Sequence, residues 1–149
     1  MITYRDMTNF DLPVVLAIEK SAYLKDAWTI NQFKEELSAI VSSRKYLVAI
    51  EGEIIGYGGA AIAGEVVDIH TLTVREDYRR RGIGGELLKR LEAWSAERGI
   101  RKVMLEVAVT NEAAIKLYEA AGYQRIRVRP NYYGAGLDAY VMERSLDEL

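Results

Sequence analysis

Residues 74–88, VREDYRRRGIGGELL, set four arginines and three glycines between an apolar β-branched run, VVDIHTLTV (66–74), and an amphipathic one. A solvated charge run has no use for glycine, and a simple turn does not need three. A glycine-rich turn feeding a helix N-terminus, by contrast, presents successive free backbone N–H groups, and the helix dipole adds partial positive charge there. Glycine lets the backbone approach a ligand closely, and Arg79, Arg80 and Arg81 bring guanidinium groups suited to phosphate oxygens. Strand, turn and helix follow in the order that a phosphate cradle requires. The competing reading is an ordinary strand-to-helix turn with solvated arginines. Two familiar phosphate motifs do not fit: no Gly-Lys-Ser/Thr follows, and Leu87 stands where a dinucleotide fingerprint needs its third glycine.

Outward from this turn, the chain reads as one alternating series. ITYRDM is a first strand, and Asp11 is placed to cap a helix that holds Pro13 in its first turn. TINQFKEEL (29–37) opens with Thr29 and Gln32 in capping-box spacing, with Ile30, Phe33 and Leu37 as its apolar stripe. KYLVAI and EIIGYGGAAIA, joined by EGE, form a hairpin that continues through AGE into VVDIHTLTV. Beyond the turn, Ile83, Leu87, Leu88, Leu91 and Trp94 recur at helical spacing, and Gly99 supplies the stop. KVMLEVAV (102–109) is apolar on both faces, as in a strand covered on both sides. Asn111 caps a helix ended by Gly122, and YQRIRVR and LDAYVMERSL complete the sheet. The order predicts an α+β fold in three layers, α/β/α, with a mixed sheet between helices and no linker dividing residues 1–149.

Composition narrows the function. With 149 residues, 50% hydrophobic, and a net charge of −2, the chain is an ordinary globular domain, and its charge argues against general binding to nucleic acid or anionic membranes. The absence of cysteine excludes disulfides, thiol nucleophiles and thiolate metal sites, and one histidine makes a histidine metal cluster untenable, so no metal is expected. Neither a signal peptide nor an apolar run of the ~20 residues that span a bilayer is visible, so a cytoplasmic location is expected.

What remains at the turn is Arg79-x-x-Gly82-x-Gly84. It resembles the pyrophosphate motif, Gln/Arg-x-x-Gly-x-Gly/Ala, of the GNAT superfamily of acyl-coenzyme-A-dependent N-acyltransferases, and the element order matches that fold over nearly the whole chain. Downstream, LEVAVTNEAAIKLYEAAGY and RPNYYGAGLDAYVM are similar to the RimI-type branch, which acetylates protein N-terminal α-amines. The resemblance implies a GNAT fold, with a mostly antiparallel sheet and helices on both faces, and acetyl-coenzyme A as cosubstrate. It implies that Arg79, Arg80, Arg81, Gly82, Ile83, Gly84 and Gly85 cradle the pyrophosphate. Leu72, Thr73 and Val74 would line the pantetheine arm, with Asn111 and Tyr118 also touching the cofactor. Trp28 and Thr29 match a Trp-Ser element on the acceptor side, with Ala27 in place of the usual preceding Pro, and Tyr132 and Tyr133 would face them across the groove.

Acyl transfer from a thioester to an amine needs an unprotonated amine and a proton for the departing thiolate. A peptide α-amine titrates near ~7.7–8.0, so a positioned base assists at neutral pH. Glu106, mid-strand on the face shared by Met104 and Ala108, is expected to have a raised pKa through desolvation. The branch places its base here. The bland alternative is a glutamate that reaches solvent or pairs with an arginine. Tyr118 reads by periodicity as a core tyrosine; by resemblance it is the general acid. Asp68 and His70, alternating on one strand face, are a reserve base pair. The expected acceptor is a protein or peptide N-terminus, such as that of a ribosomal protein. The other readings are a polyamine or antibiotic amine, a lysine side chain, or an acyl-coenzyme A sensor without turnover. Arg125, Arg127 and Arg129 alternate along one predicted strand near Tyr132 and Tyr133, which would suit a nucleic-acid platform, but the acidic balance of the chain weighs against it. The oligomeric state is left open.

Overall fold

The computed structural model describes residues 1–23, 27–39 and 43–147. In chain order these form β1 (Thr3–Asp6), α1 (Leu12–Ala22), α2 (Ile30–Ser38), β2 (Arg44–Glu51), β3 (Glu53–Ala63), β4 (Val66–Val74), α3 (Ile83–Glu97), β5 (Lys102–Ala108), α4 (Glu112–Ala120), β6 (Gln124–Arg129) and β7 (Ala139–Ser145). One sheet runs β1-β2-β3-β4-β5-β7-β6, antiparallel throughout except for the parallel pair β4 and β5. The predicted order of elements is the observed order.

Strand alternation sorts the apolar side chains into two cores. On one face α1 and α2 bury Leu12, Val15, Ile18 and Phe33 against Tyr46, Val48, Ile54 and Tyr57. On the other, α3 and α4 bury Leu87, Leu88, Leu91 and Ile115 against Leu47, Ile55, Val67, Val103, Leu105 and Met142. Local signals start the helices where expected. Thr29 accepts a hydrogen bond from the Gln32 amide at 3.2 Å while Gln32 Oε1 accepts from the Thr29 amide at 2.8 Å, and Asn111 Oδ1 accepts from the Ala114 amide at 3.2 Å.

Three expectations need correction. Asp11 stands just before α1, but its carboxylate turns back, accepting from the Thr8 amide at 2.7 Å and from both Arg5 nitrogens at 2.8 Å. Asp11 already has helical backbone angles, so its side chain lies away from the α1 amides it would cap. β5 is not covered on both sides: Val103, Leu105 and Val107 are buried, whereas Met104, Glu106 and Ala108 are only half-buried. Among the described residues no helix of that face packs over this end of the sheet, because α1 and α2 sit on β2 and β3. The arginines of β6 do not share one face. The register slips between Arg125 and Arg127, so Arg125 lies opposite Met142, whereas Arg127 and Arg129 lie opposite Val141 and Ala139. Ile126 is the extra residue, and one extra residue turns Arg125 over to the α4 side, where it pairs with Glu119 at 3.3 Å.

The feature that positions the site is the parting of β4 from β5. The two strands pair only at Val67 with Val103 and Asp68 with Met104. Just beyond, the β3–β4 register slips, with Gly59 opposite Thr71 and Ala60 opposite Ile69, leaving His70 as the bulged residue. Gly59 is required there, since a Cβ on it would stand 2.1 Å from the Tyr46 ring. A bulge bends and twists its strand. From His70 onward β4 has no β5 partner, and a wedge opens between the strands.

Candidate active site

The wedge continues into the arginine–glycine turn. After β4 a short 3₁₀ turn (Glu76–Tyr78) leads to Arg80 and Gly82, both left-handed, with φ of 68° and 78°. Gly82 then stands at the N-cap of α3. The first bond of α3 is from the Glu86 amide to the Gly82 carbonyl, at 3.0 Å, so the amides of Ile83, Gly84 and Gly85 have no partner within the helix. No side chain caps them. This is the arrangement of donors that an oxyanion ligand accepts.

A groove of about 600 Å³ runs from the turn into the wedge. Leu72, Thr73, Val74, Arg79, Arg80, Gly82, Ile83, Gly84, Gly85, Asn111 and Tyr118 all line it. Arg75 donates its amide to the Ile55 carbonyl at 2.8 Å, which fixes the alternation along β4. The backbone of Thr73 therefore turns toward β3, and that of Leu72 and Val74 toward the groove. A strand edge left open in this way is suited to the amides of a pantetheine chain. Arg79 holds the exit, its Nε donating to the Val74 carbonyl at 3.1 Å. Arg81 is different: its guanidinium bonds Glu51 at 3.4 Å and stacks on Tyr78, and its side chain does not line the groove.

Tyr118 projects from α4 to the deep end of the groove. Its ring packs against Tyr123, and its hydroxyl bonds no described residue. Burial, followed by the neighbouring Tyr23 and Tyr133 hydroxyls, pushes its pKa well up, so it retains its proton. On β5, Glu106 has a carboxyl held above the ordinary glutamate range, first by burial and then by the charge of Asp68, with Arg129 and Arg127 opposing. Arg129 lies 3.5 Å from Glu106 Oε1, so Glu106 is half-buried and also arginine-paired.

Asp68 and His70 share no hydrogen bond or ion pair, although the Asp68 charge is felt at both His70 and Glu106. Asp68 pairs across the strands with Met104, two residues from Glu106, while His70 sits on the bulge with its Nδ1 2.8 Å from the Tyr46 hydroxyl and 3.1 Å from Glu36 Oε1. Burial lowers the His70 pKa, against the opposing charges of Glu36 and then Asp68.

The acceptor side has two walls. Trp28 packs against Phe33, Tyr46 and His70, and its amide donates to Glu19 Oε2 at 2.9 Å. The Thr29 hydroxyl is committed to capping α2. Opposite, the Tyr133 hydroxyl donates to the Glu106 carbonyl at 3.1 Å, and Tyr132 packs edge-on against Tyr133 beneath the Arg129 guanidinium.

Sequence reasoning missed several groups. Tyr23 lines the groove, its hydroxyl 2.9 Å from that of Thr73, and no motif marks it. Glu19 is 3% exposed and bonds both the Trp28 amide and the Tyr57 hydroxyl, and burial holds its pKa up. Its signal was readable: Glu19 falls four residues after Val15 and seven after Leu12, on the apolar face of α1. Leu117, which packs beneath the α3 glycines, was also overlooked.

A parted parallel pair, a glycine turn with open amides and a groove joining them define one class of protein. The chain belongs to the acetyltransferase (GNAT) family, whose pattern matches residues 12–123. It is 33% identical to the N-alpha-acetyltransferase RimI of Mycobacterium tuberculosis, over 96% of this chain and 92% of that protein. The crystal structure of the ribosomal-protein-S18-alanine N-acetyltransferase from Escherichia coli is 26% identical and superposes with a TM-score of 0.85, covering 98% of this chain and 94% of that one. Arabidopsis thaliana NAA60 in complex with acetyl-CoA shares the fold, with a TM-score of 0.88 at 22% identity and coverage of 99% of both chains. Among the described residues, no helix is long and apolar enough to cross a membrane.

Proposed function

We propose that this chain transfers the acetyl group of acetyl-coenzyme A to the N-terminal α-amine of a protein. The observation that carries the reading is the continuous groove from the α3 amides to Tyr118; Glu106 does not line it but stands on β5, the strand from which β4 parts. The amides of Ile83, Gly84 and Gly85, aided by Arg79 and Arg80, hold the pyrophosphate, and the open edge of β4 holds the extended arm. The thioester supplies the acyl carbon. The neutral amine attacks the acyl carbon through its lone pair, and Glu106, ionised, takes the proton its nitrogen loses as the carbon–nitrogen bond forms, directly or through one water. Tyr118 gives its proton to the sulfur as the carbon–sulfur bond breaks, so the products are an N-acetyl amide and the free thiol. Tyr133 fixes the β5 backbone at Glu106, and Glu19 holds the Trp28 wall through its backbone. Similarity to the two RimI-type enzymes supports a protein N-terminus as acceptor, and the Escherichia coli relative makes a ribosomal protein the first candidate.

The test is a competition between short peptides with a free α-amine, the same peptides formylated at the N-terminus but carrying a free lysine, and a polyamine. Free peptides should have the highest kcat/KM, and formylation should abolish transfer. If formylated peptides react equally well, the acceptor is a lysine side chain. If the polyamine reacts best, the acceptor is a small amine.

A further inference from the structure

On the acceptor side the face of the sheet beyond α1 and α2 carries charges in a fixed row on either side of the buried Val141. Glu106 lies directly opposite Val141, and Val141 lies directly opposite Arg127, so the two charged residues share one face two strands apart. Neighbouring strands are about 4.8 Å apart, which places the Glu106 and Arg127 backbones about 10 Å from one another. An extended chain advances about 3.3 Å per residue, so a peptide whose amine lies at Glu106 brings its second or third side chain within reach of Arg127. The other direction is obstructed. Toward β4 lie Asp68 and then the Trp28, Tyr46 and His70 cluster under α1 and α2, whereas β6 is exposed at every residue.

The arginines differ in what they already hold. Arg125 is turned to the other face and pairs with Glu119. Arg129 is shared between Glu106 and the Tyr132 ring. Arg127 is exposed and makes no ion pair, hydrogen bond or ring contact with another described residue; its charge is felt at Glu106, but its N–H groups are left for a ligand. A carboxylate is the complementary partner, since it accepts two parallel N–H bonds from a guanidinium.

Resting on the N-terminal transfer proposed above, we propose that Arg127 is a specificity-determining residue that selects acceptor peptides with an aspartate or glutamate at the second or third position. The pair is exposed, so its effect is modest: about a twofold to fivefold gain in kcat/KM over the amide analogue. A lysine at the same position is disfavoured, and the discrimination shrinks as salt is raised.

The experiment measures kcat/KM for peptides that differ only at position two or three, carrying Glu, Gln or Lys, with wild type, Arg127→Ala and Arg127→Glu. The proposal expects Glu above Gln above Lys in wild type, near-equality in Arg127→Ala and inversion toward Lys in Arg127→Glu. Circular dichroism of each variant checks its fold, and the ratio between peptides cancels any general loss of activity. Equal rates for all three peptides in wild type, or an unchanged Glu preference in Arg127→Ala, overturns the role of Arg127 and leaves N-terminal transfer intact. If no free peptide reacts in wild type, both readings fail.

Discussion

A base must be ionised to take a proton, so with Glu106 as the proposed base, turnover is expected to rise with pH across its pKa. Burial and the Asp68 charge lift that pKa above the ordinary glutamate range, and Arg129 and Arg127 pull it back. Glu106→Gln keeps the shape and removes the base, and kcat should fall about 10²- to 10⁴-fold while acetyl-coenzyme A still binds. Full activity across the pH range in this variant would place the base elsewhere. Asp68→Asn removes a negative neighbour, which lowers the Glu106 pKa, so the acidic limb of the kcat/KM profile should move to lower pH. A limb that stays in place, or moves up, would show that the Asp68 charge does not reach Glu106. The raised pKa of Glu106 was legible from its place among Met104 and Ala108, whereas the half-buried setting was not, because the run reads as a strand covered on both faces. That the charge of Asp68 rather than that of His70 acts on it was not legible either, because the bulge at His70 depends on the fit of Gly59 against Tyr46 on a different strand.

At the scale of elements, the turn and α3 show two distinct uses of glycine. Gly82 has open space around its missing Cβ but a φ of +78°, which is a backbone requirement. Gly84 has helical angles, yet a Cβ there would meet Leu117 Cδ2 at 3.3 Å, which is a packing requirement between α3 and α4. Gly84→Val should push Leu117 aside, cost about 1–3 kcal/mol of stability, and crowd the amides that hold the pyrophosphate. Calorimetry should then show acetyl-coenzyme A binding weakened tenfold or more. Unchanged affinity in a folded variant would remove the turn from the binding site. The turn could be read in the sequence because its parts lie within a few residues of one another. The path of β6 could not: its alternating arginines predict one face, and one extra residue at Ile126 divides them between two.

Across the whole molecule, the groove draws on β4, the turn, α3 and α4, and on Tyr23 at the end of α1. A ligand that spans these elements binds only the folded chain and stabilises it by mass action, by about 2.7 kcal/mol at a hundred times its Kd. For a chain of this size that corresponds to a rise in Tm of about 5–10 °C. Thermal unfolding with acetyl-coenzyme A should show it, and an unmoved Tm at saturating ligand would mean that the groove is not the cofactor site. The sequence by itself determined the order of elements, the caps at Thr29 and Asn111, the stripe of α3 and the glycine turn before it, since each rests on periodicity or hydrogen bonds between near neighbours. Only the tertiary structure decided where β4 leaves β5, whose charge raises the Glu106 pKa, how buried Glu19 joins the Trp28 wall to β3, and which arginine forms no ion pair on the acceptor face. Those outcomes depend on strand register and bulges, where one extra residue reverses every side chain beyond it and no local pattern records the partner.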